Sequence, residues 1–138
     1  MKRRIRHQKG FFKNKKLEEI FYVSEIFEGI QGEGKYAGVP SLFIRLSGCN
    51  RRCSFCDTKY SWGKGTPYTL DQIVKIIKES KLNWIVFTGG EPMLQFNLIS
   101  KVIRRITRDV RTTNKYFAIE TNGDLIDETN IKNLIIKI

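Results

Sequence analysis

Four segments of the chain show the apolar patterns that are typical of β-strands. Residues 22–27 and 41–46 are the first two. The second of them is apolar at Leu42, Phe43, Ile44 and Leu46. Residues 83–87 form a short apolar run that ends at a Thr-Gly-Gly sequence, as a buried parallel strand does. Residues 116–119 form the fourth strand, and residues 134–136 are predicted to begin one more.

Between these strands the apolar spacing changes to that of amphipathic helices. Thr69 and Gln72 have the spacing of a capping box, which predicts a helix start. The apolar face of this helix is Leu70, Ile73, Ile76 and Ile77. A second helix is predicted with Ile99, Val102, Ile103 and Ile106 inward and Lys101, Arg104, Arg105 and Arg108 outward. Residues 125–131 are predicted to form a short helix.

The order of these elements indicates the fold class. Strand, helix, strand, helix, strand is the signature of βαβ units, which build a parallel sheet with right-handed crossovers. We therefore predict an α/β fold, in which the loops that follow the strands carry the functional site. The chain has 138 residues, enough for one sizeable core and too few for two.

The positive charge is concentrated at one end of the chain. The formal net charge is +11, from 25 Lys and Arg against 14 Asp and Glu, and residues 1–16 hold eight of these bases and no acid. This arm is either a patch for an anionic surface such as nucleic acid or a solvated, poorly ordered terminus. No apolar run approaches the roughly 18 to 20 residues of a membrane-spanning helix, and no secretory signal follows the basic start, so we expect a soluble protein.

The three cysteines of the chain, Cys49, Cys53 and Cys56, lie in the loop after the second strand. An odd number within eight residues argues against a disulfide-stapled secreted domain and favours a thiolate site in a reducing compartment. A zinc site lacks a fourth ligand and a catalytic thiol lacks a base, since the one histidine, His7, is in the basic arm. A redox pair of Cys53 and Cys56 leaves Cys49 unexplained. Three ligands without a fourth suit an iron–sulfur cluster with one open iron.

A glycine-rich loop at residues 29–34 follows the first strand. It matches parts of the dinucleotide-binding and P-loop patterns, but no helix follows it, so neither site is predicted. What remains is a loop with one amide, Gln31, and one carboxylate, Glu33, which can bring backbone groups close to a ligand.

Two motifs together resemble the radical S-adenosylmethionine (SAM) superfamily. The first is the C-x₃-C-x₂-C spacing with Phe55 before the last cysteine, and the second is the Gly-Gly-Glu segment at residues 89–91, at the end of the next strand. The resemblance implies a partial (β/α) barrel and a 4Fe–4S cluster. It also implies that SAM chelates the open iron through its amino and carboxylate groups.

Four further segments resemble the 7-carboxy-7-deazaguanine synthase family. They are GIQGEG at 29–34, FIRLSGC at 43–49, CDT at 56–58 with Trp62, and IETNG at 119–123. The resemblance runs from about residue 24 to residue 123. It implies a carbon–nitrogen lyase that converts 6-carboxy-5,6,7,8-tetrahydropterin to 7-carboxy-7-deazaguanine with loss of ammonia, on the route to tRNA nucleosides such as queuosine.

The same family resemblance implies cofactors and partners. SAM is used catalytically, Mg²⁺ is required, and an electron donor such as flavodoxin or ferredoxin supplies the electron. The enzyme is expected to be a cytoplasmic homodimer that acts on a small-molecule pterin, without membrane attachment or direct nucleic-acid binding. The radical comes from the cluster and SAM, so no side chain is expected to be catalytic in itself.

Site residues follow from the resemblance by position. The cluster ligands are Cys49, Cys53 and Cys56, and the Mg²⁺ ligand is Thr58. The SAM contacts are Phe55, Asp57, Gly90, Glu91 and Glu120. The substrate contacts are Ile30, Gln31, Gly32, Arg45 and Thr88. A salt bridge for Arg45 and a satisfied turn hydroxyl for Thr88 are the ordinary alternatives to these roles.

The length of the chain leads to an expectation about its extent. We predict a basic N-terminal extension at residues 1–20 and a radical SAM domain at 21–138, truncated after the fourth barrel strand. The family continues with a Ser-Pro-Lys segment that contacts SAM and with further strands, so we expect a fragment or a short form with weakened SAM retention. Two other functions stay open: a glycyl-radical activating enzyme, as for anaerobic ribonucleotide reductase, and a non-catalytic iron–sulfur or zinc module that binds RNA.

Overall fold

The structure, a computed structural model, describes residues 19–135 as one mixed sheet with helices. The strands are β1 (Ile20–Ile30), β2 (Pro40–Leu46), β3 (Thr66–Thr69), β4 (Trp84–Gly89) and β5 (Tyr116–Ile119). The α-helices are α1 (Leu70–Glu79), α2 (Phe96–Arg108) and α3 (Glu128–Ile135). Short 3₁₀ turns occupy Gly34–Tyr36, Lys59–Trp62, Pro92–Gln95 and Val110–Thr112.

The five strands form an open sheet in the order β3-β1-β2-β4-β5. β2, β4 and β5 are parallel, as the βαβ pattern predicts, with α1 between the first two strands and α2 between the last two. β1 runs antiparallel to both β2 and β3. The predicted parallel sheet is therefore present in β2, β4 and β5, whereas the pairing of β1 and β3 differs from the prediction. The reason is the short connection between β1 and β2, residues 31–39, since a parallel pair needs a crossover of a dozen or more residues.

The helices α1 and α2 cover one face of the sheet and form the core with it. The capping box at the start of α1 is confirmed: Thr69 Oγ1 accepts a hydrogen bond from Gln72 N at 3.1 Å, and Gln72 Oε1 accepts one from Thr69 N at 2.8 Å. The core residues with no more than 1% exposure are Phe21, Val23, Ile44, Leu46, Ile73, Ile77, Ile85, Phe87, Ile99, Val102 and Ile106. None of the helices in residues 19–135 is long and apolar enough to cross a membrane.

The last helix corrects the prediction for the end of the chain. α3 begins at Glu128 and continues through Ile135, so residues 134 and 135 do not begin a strand, and residue 136 lies outside the described part. The start of the helix follows from Asp127, whose Oδ1 accepts a hydrogen bond from Asn130 N at 2.7 Å, in the manner of an N-cap. The predicted further barrel strand is thus replaced by a helical turn over those two residues.

The last two residues of the predicted N-terminal extension, Glu19 and Ile20, contact the sheet. Ile20 pairs with Thr69 in the sheet, and the backbone carbonyl of Glu19 accepts a hydrogen bond from Leu70 N at 2.9 Å. Residues 19 and 20 therefore belong to the folded part rather than to the extension. The rest of the predicted basic arm, including His7, lies outside the described residues.

Candidate functional site

Three loops meet where the parallel strands end. Leu46 lies opposite Gly89 in the β2–β4 register, and Phe87 lies opposite Ile119 in the β4–β5 register. The loops that follow therefore converge at one edge of the sheet, as the ends of parallel strands do in α/β folds. They carry the cysteines, the Gly-Gly-Glu segment and residues 120–124, respectively.

Two glycines at the end of β4, Gly89 and Gly90, bring the backbone into contact with the cysteine loop. Gly90 N donates to Leu46 O at 3.2 Å, and Glu91 N donates to Gly48 O at 2.8 Å. A Cβ atom on Gly90 would lie 2.2 Å from Gly48 O and 2.9 Å from Cys49 Cβ. Gly89 has φ +143°, and a Cβ there would lie 2.1 Å from Leu46 O. Because no side chain fits at either position, the local packing itself requires both glycines.

The three cysteines line one cleft of about 370 Å³ at this edge. All three are free thiols of intermediate exposure. The other lining residues are Arg51, Phe55, Asp57, Trp62, Gly90 and Asn122. The structure thus brings together the predicted cluster ligands and three of the five residues expected near SAM. Phe55 is 88% exposed, so its ring is available to a ligand.

The arrangement of the thiols bears on the kind of metal group that fits. Within residues 19–135, no three His, Cys, Asp or Glu side chains approach closely enough to hold a single metal ion. A closed zinc site requires four donors about 2.0–2.3 Å from one ion, and the described residues do not present such a set. Cysteine thiolates are the ligands of iron–sulfur clusters, and three thiols spread around one cleft match such a group in donor type.

Arg52 stabilises the cysteine loop through hydrogen bonds inside the loop. Its Nη1 donates to the backbone carbonyls of Cys49 and Arg51, both at 2.7 Å. Its guanidinium lies 5.1 Å from the ring centroid of Trp62, within the range of a cation–π interaction. A hydrogen bond from Gly48 N to Ser61 O at 2.7 Å closes the base of the loop. Sequence patterns gave no signal for this role of Arg52.

Glu91 has a different environment from the one expected. Its side chain is fully buried, with 0% exposure, and it accepts three hydrogen bonds from the protein. The donors are Met93 N at 2.9 Å and Thr121 Oγ1 at 2.7 Å to Oε1, and Asn122 N at 2.8 Å to Oε2. The carboxylate therefore joins the loop after β4 to the loop after β5. A buried carboxylate requires such partners because desolvation is costly.

A second cleft, of about 350 Å³, lies under the glycine-rich loop. Gln31 is 7% exposed, and its Nε2 donates to Glu120 Oε1 at 3.0 Å across 89 residues of sequence. Its Oε1 accepts a hydrogen bond from Glu33 N at 3.1 Å. Glu120, expected near SAM, lines this cleft with Gln31. The other two loop residues expected at the substrate, Ile30 and Gly32, are both exposed.

Arg45 and Thr88 lie opposite each other in the β2–β4 register. Nε of Arg45 donates to Glu25 Oε1 at 2.8 Å, and the hydroxyl of Tyr60 donates to the same oxygen at 2.7 Å. These two donors, Tyr60 foremost, lower the pKa of Glu25, and the hydrogen bond to Glu25 raises the pKa of Tyr60. The salt bridge that was the ordinary alternative for Arg45 is present. Within residues 19–135 its Nη1 and Nη2 make no hydrogen bond, so the guanidinium keeps two donor groups for a ligand.

Two hydroxyls complete the predicted set. Thr88 is 5% exposed, and within the described part of the chain its side chain makes no hydrogen bond, so the predicted turn hydrogen bond is not seen there. Thr58 Oγ1 lies 3.7 Å from Cys56 Sγ, at the border of the cysteine cleft.

Three polar residues at the edge of the site were not predicted from the sequence: Arg51, Asn122 and Asp124. The hydrogen bonds that Arg51 donates to Asp124 lower the pKa of this carboxyl group.

Comparisons with known proteins agree with this geometry. Residues 43–135 match the model of the radical SAM superfamily. The chain is 43% identical over 113 residues to 7-carboxy-7-deazaguanine synthase of Thermoplasma acidophilum, which covers 82% of this chain and 50% of the relative. It is 37% identical over 115 residues to that of Hyperthermus butylicus, which covers 82% and 47%. The chain spans about half the length of the curated relatives it matches.

A solved structure is also similar. The crystal structure of QueE from Escherichia coli aligns with a TM-score of 0.59 at 27% sequence identity. The alignment covers 75% of this chain and 53% of that one. The predicted resemblance to the radical SAM superfamily and to the deazaguanine synthases is thereby confirmed.

Proposed function

The chain belongs to the radical SAM superfamily, and from that premise we propose that it acts in the conversion of 6-carboxy-5,6,7,8-tetrahydropterin to 7-carboxy-7-deazaguanine. The observation that supports this proposal best is the pair of neighbouring clefts. One is lined by three free cysteines and Gly90, and the other by Gln31 and Glu120. The names of the relatives given above state the synthesis of 7-carboxy-7-deazaguanine, the product of this conversion.

The cysteine cleft is the proposed place of the 4Fe–4S cluster and SAM. Cys49, Cys53 and Cys56 would ligate the cluster, and when bound, the cluster and SAM supply hydrogen-abstraction chemistry. Gly90 lines this cleft, so a ligand bound there would contact main-chain atoms of the Gly-Gly-Glu segment. The exposed ring of Phe55 and the carboxylate of Asp57 are proposed to lie on the adenosine side.

Glu91 is proposed to act on SAM indirectly. Its carboxylate oxygens accept hydrogen bonds from within the protein, and its side chain is fully buried. It fixes the loops that carry Gly90 and Asn122, both of which line the cysteine cleft. Positioning of the cleft wall is therefore the role that its contacts support.

The substrate is proposed to lie between the glycine-rich loop and the ends of β2 and β4. The free Nη groups of Arg45 form a planar fork that suits the substrate carboxylate. The Thr88 hydroxyl and the backbone of residues 30–32 would contact the pterin ring. Glu120 accepts a hydrogen bond from the amide of Gln31, so we assign it to this side, where it orients Gln31, rather than to the ribose of SAM.

Magnesium and the partners rest on the family resemblance. Thr58 offers a hard oxygen ligand, and Mg²⁺ commonly keeps several waters and takes few protein ligands when the substrate supplies others. A flavodoxin- or ferredoxin-type electron donor and a homodimer stay predictions. We also propose a cytoplasmic location, because three free thiols are typical of a reducing compartment.

Anaerobic reconstitution followed by an assay tests the proposal. We expect the 1–138 chain to take up iron and sulfide, to show cluster absorption and an electron paramagnetic resonance signal on reduction, and to form the deazaguanine product with SAM and Mg²⁺. The matched control is Cys53→Ala, which should lose the cluster while it keeps the far-ultraviolet circular dichroism of the fold. SAM cleavage only with a protein partner would favour a glycyl-radical activating enzyme. A colourless zinc form without SAM cleavage would favour a binding module.

A further inference from the structure

The cysteine loop is tied to the segment after β5 by a polar network of Asn50, Arg51, Asn122 and Asp124, which we call the Asp124 clasp. Arg51 Nε donates to Asp124 Oδ2 at 2.6 Å, and Arg51 Nη2 donates to Asp124 Oδ1. Asn50 Nδ2 donates to Asp124 Oδ2 at 3.3 Å, and Asn122 Nδ2 donates to Asn50 Oδ1 at 2.9 Å. Asp124 N donates to Asn122 Oδ1 at 3.0 Å, so the network closes on itself.

The clasp holds a loop that has few other attachments. Within residues 19–135, every hydrogen bond that leads from residues 49–57 to a distant part of the chain ends on Asn122 or Asp124. The remaining hydrogen bonds of this loop are local, such as Cys56 N to Cys53 O at 3.2 Å. The sequence separation across the clasp is 72 to 74 residues. The position of the loop relative to the sheet edge therefore depends on this network, on the hydrogen bonds of Gly48 at the base of the loop and on the contact with Gly90.

The chemistry of the pair is suited to this task. Single exposed ion pairs contribute little, but bidentate arginine–carboxylate pairs within a network are the exception. Arg51 and Asp124 are both exposed residues, with side-chain exposures of 49% and 34%, so the bidentate geometry and the network rather than burial favour the pair. Arg51 N also lies 3.4 Å from Cys49 Sγ, so the clasp contacts the residues that carry the thiols. Asn122 is in turn held by Glu91, which links the clasp to the core.

We propose that Asp124 is a positioning residue for the iron–sulfur cluster: through Arg51 and Asn50 it holds the cysteine loop against the sheet edge, so that the thiols are in place before the cluster binds. This inference rests on the proposed function, because it presupposes a cluster on Cys49, Cys53 and Cys56. Ordering a loop costs backbone conformational entropy. A loop that is already ordered loses less on binding, which favours retention of the ligand.

The test compares Asp124→Asn and Arg51→Lys with the wild-type chain. Asp124→Asn keeps the shape of the side chain but removes its charge, and Arg51→Lys keeps the charge but removes the fork. With the reconstituted protein and a ferrous chelator, we expect both variants to lose visible cluster absorption about three- to fivefold faster, the upper part of the range for exposed ion pairs. In the cluster-free protein, amide hydrogens of residues 49–58 should exchange faster in both variants. The control is Glu128→Gln, an exposed carboxylate with the same charge change, which should match the wild type.

A double variant tests whether Arg51 and Asp124 hold the loop as one unit or independently. Arg51→Ala and Asp124→Ala should be non-additive, since either one alone opens the clasp. Cluster loss within twofold of the wild type together with unchanged amide exchange in residues 49–58 would overturn the proposal. If the wild-type chain takes up no cluster, the proposed function fails. The exchange measurement on the cluster-free chain then still decides whether the clasp orders the loop.

Discussion

Arg45 and Glu25 form a cross-strand ion pair between β2 and β1, with Nε and Oε1 2.8 Å apart. The guanidinium also lies 5.8 Å from the ring centroid of Phe27 and 5.9 Å from that of Tyr60. The pair therefore fixes the arginine plane in the free protein. Within residues 19–135 the two Nη groups have no hydrogen-bond acceptor, which is compatible with the proposed contact to a substrate carboxylate.

Arg45→Lys should weaken pterin binding. A lysine keeps the positive charge but cannot offer two parallel donors, and hydrogen bonds to charged groups contribute about 1.5–3 kcal/mol each. We expect the dissociation constant of the carboxypterin to rise by about ten- to a hundredfold, measured by calorimetry on the reconstituted protein. Arg105→Lys is the control, because Arg105 lies on the exposed side of α2. Equal pterin affinity in Arg45→Lys and the wild type would remove Arg45 from the substrate site.

Gly90→Ala should disrupt the cysteine cleft. The new methyl group would lie 2.2 Å from Gly48 O and 2.9 Å from Cys49 Cβ, so the cysteine loop has to move. Overpacking of this kind costs about 1–3 kcal/mol, and we expect lower stability in urea and less iron bound after reconstitution. Gly63→Ala is the matched control, since its Cβ would have only an ordinary contact at 3.7 Å with Tyr60 O. Normal iron content in Gly90→Ala would show that the loop adapts freely.

Glu91→Gln should destabilise the fold even without cofactors. The carboxylate accepts from Met93 N, Thr121 Oγ1 and Asn122 N, whereas a glutamine amide has one acceptor and sets its NH₂ group against a donor. An unsatisfied buried donor costs about 1–3 kcal/mol, which urea unfolding of the cluster-free protein measures. Thr121→Val, which removes a single one of these hydrogen bonds, should have a smaller effect. Unchanged stability with loss of SAM binding alone would instead make Glu91 a direct SAM ligand.

Stability in acid should depend on Asp109, which joins α1 to the end of α2. Its carboxylate accepts hydrogen bonds from Lys78 and Arg111, and hydrogen bonds from Arg111 foremost, then Lys78, hold its pKa well below the usual range. A carboxyl whose pKa is depressed by folding stabilises the protein above its unfolded pKa of about 4, and this contribution is lost as the pH falls further.

The variant Asp109→Asn tests this pH dependence. We expect it to be less stable than the wild type at pH 7, with the difference shrinking as urea unfolding is repeated from pH 5 down to pH 2. Glu79→Gln serves as the control, since Glu79 makes only an exposed ion pair with Lys75 across one helical turn. A difference that stays constant over the whole range would show that the charge of Asp109 does not contribute through these contacts.

Helix starts and strand ends could be predicted from the sequence because the motifs that mark them span only a few residues. The capping box of Thr69 and Gln72 predicted the start of α1, and the Gly-Gly-Glu segment marked the end of β4. β3 was missed because Thr66–Thr69 has little apolar pattern and pairs only at the edge of the sheet. The strand prediction near residue 134 was wrong because an Ile- and Leu-rich segment fits either a strand or a helix. The hydrogen bond that Asp127 accepts at the start of α3 favours the helix.

Sequence patterns predicted that three thiols and a Gly-Gly-Glu segment follow neighbouring strands of an α/β sheet, because strand periodicity and loop position are encoded within a few residues. The directions of the polar side chains of the site, in contrast, follow from the packing of the folded chain. Glu91 faces the interior, Glu120 meets Gln31, and Arg45 meets Glu25. The partners of these carboxylates lie 2 to 89 residues away, and Asp124 reaches Arg51 across 73. Such pairings depend on how strand ends and loops pack, which spacing along the chain does not specify.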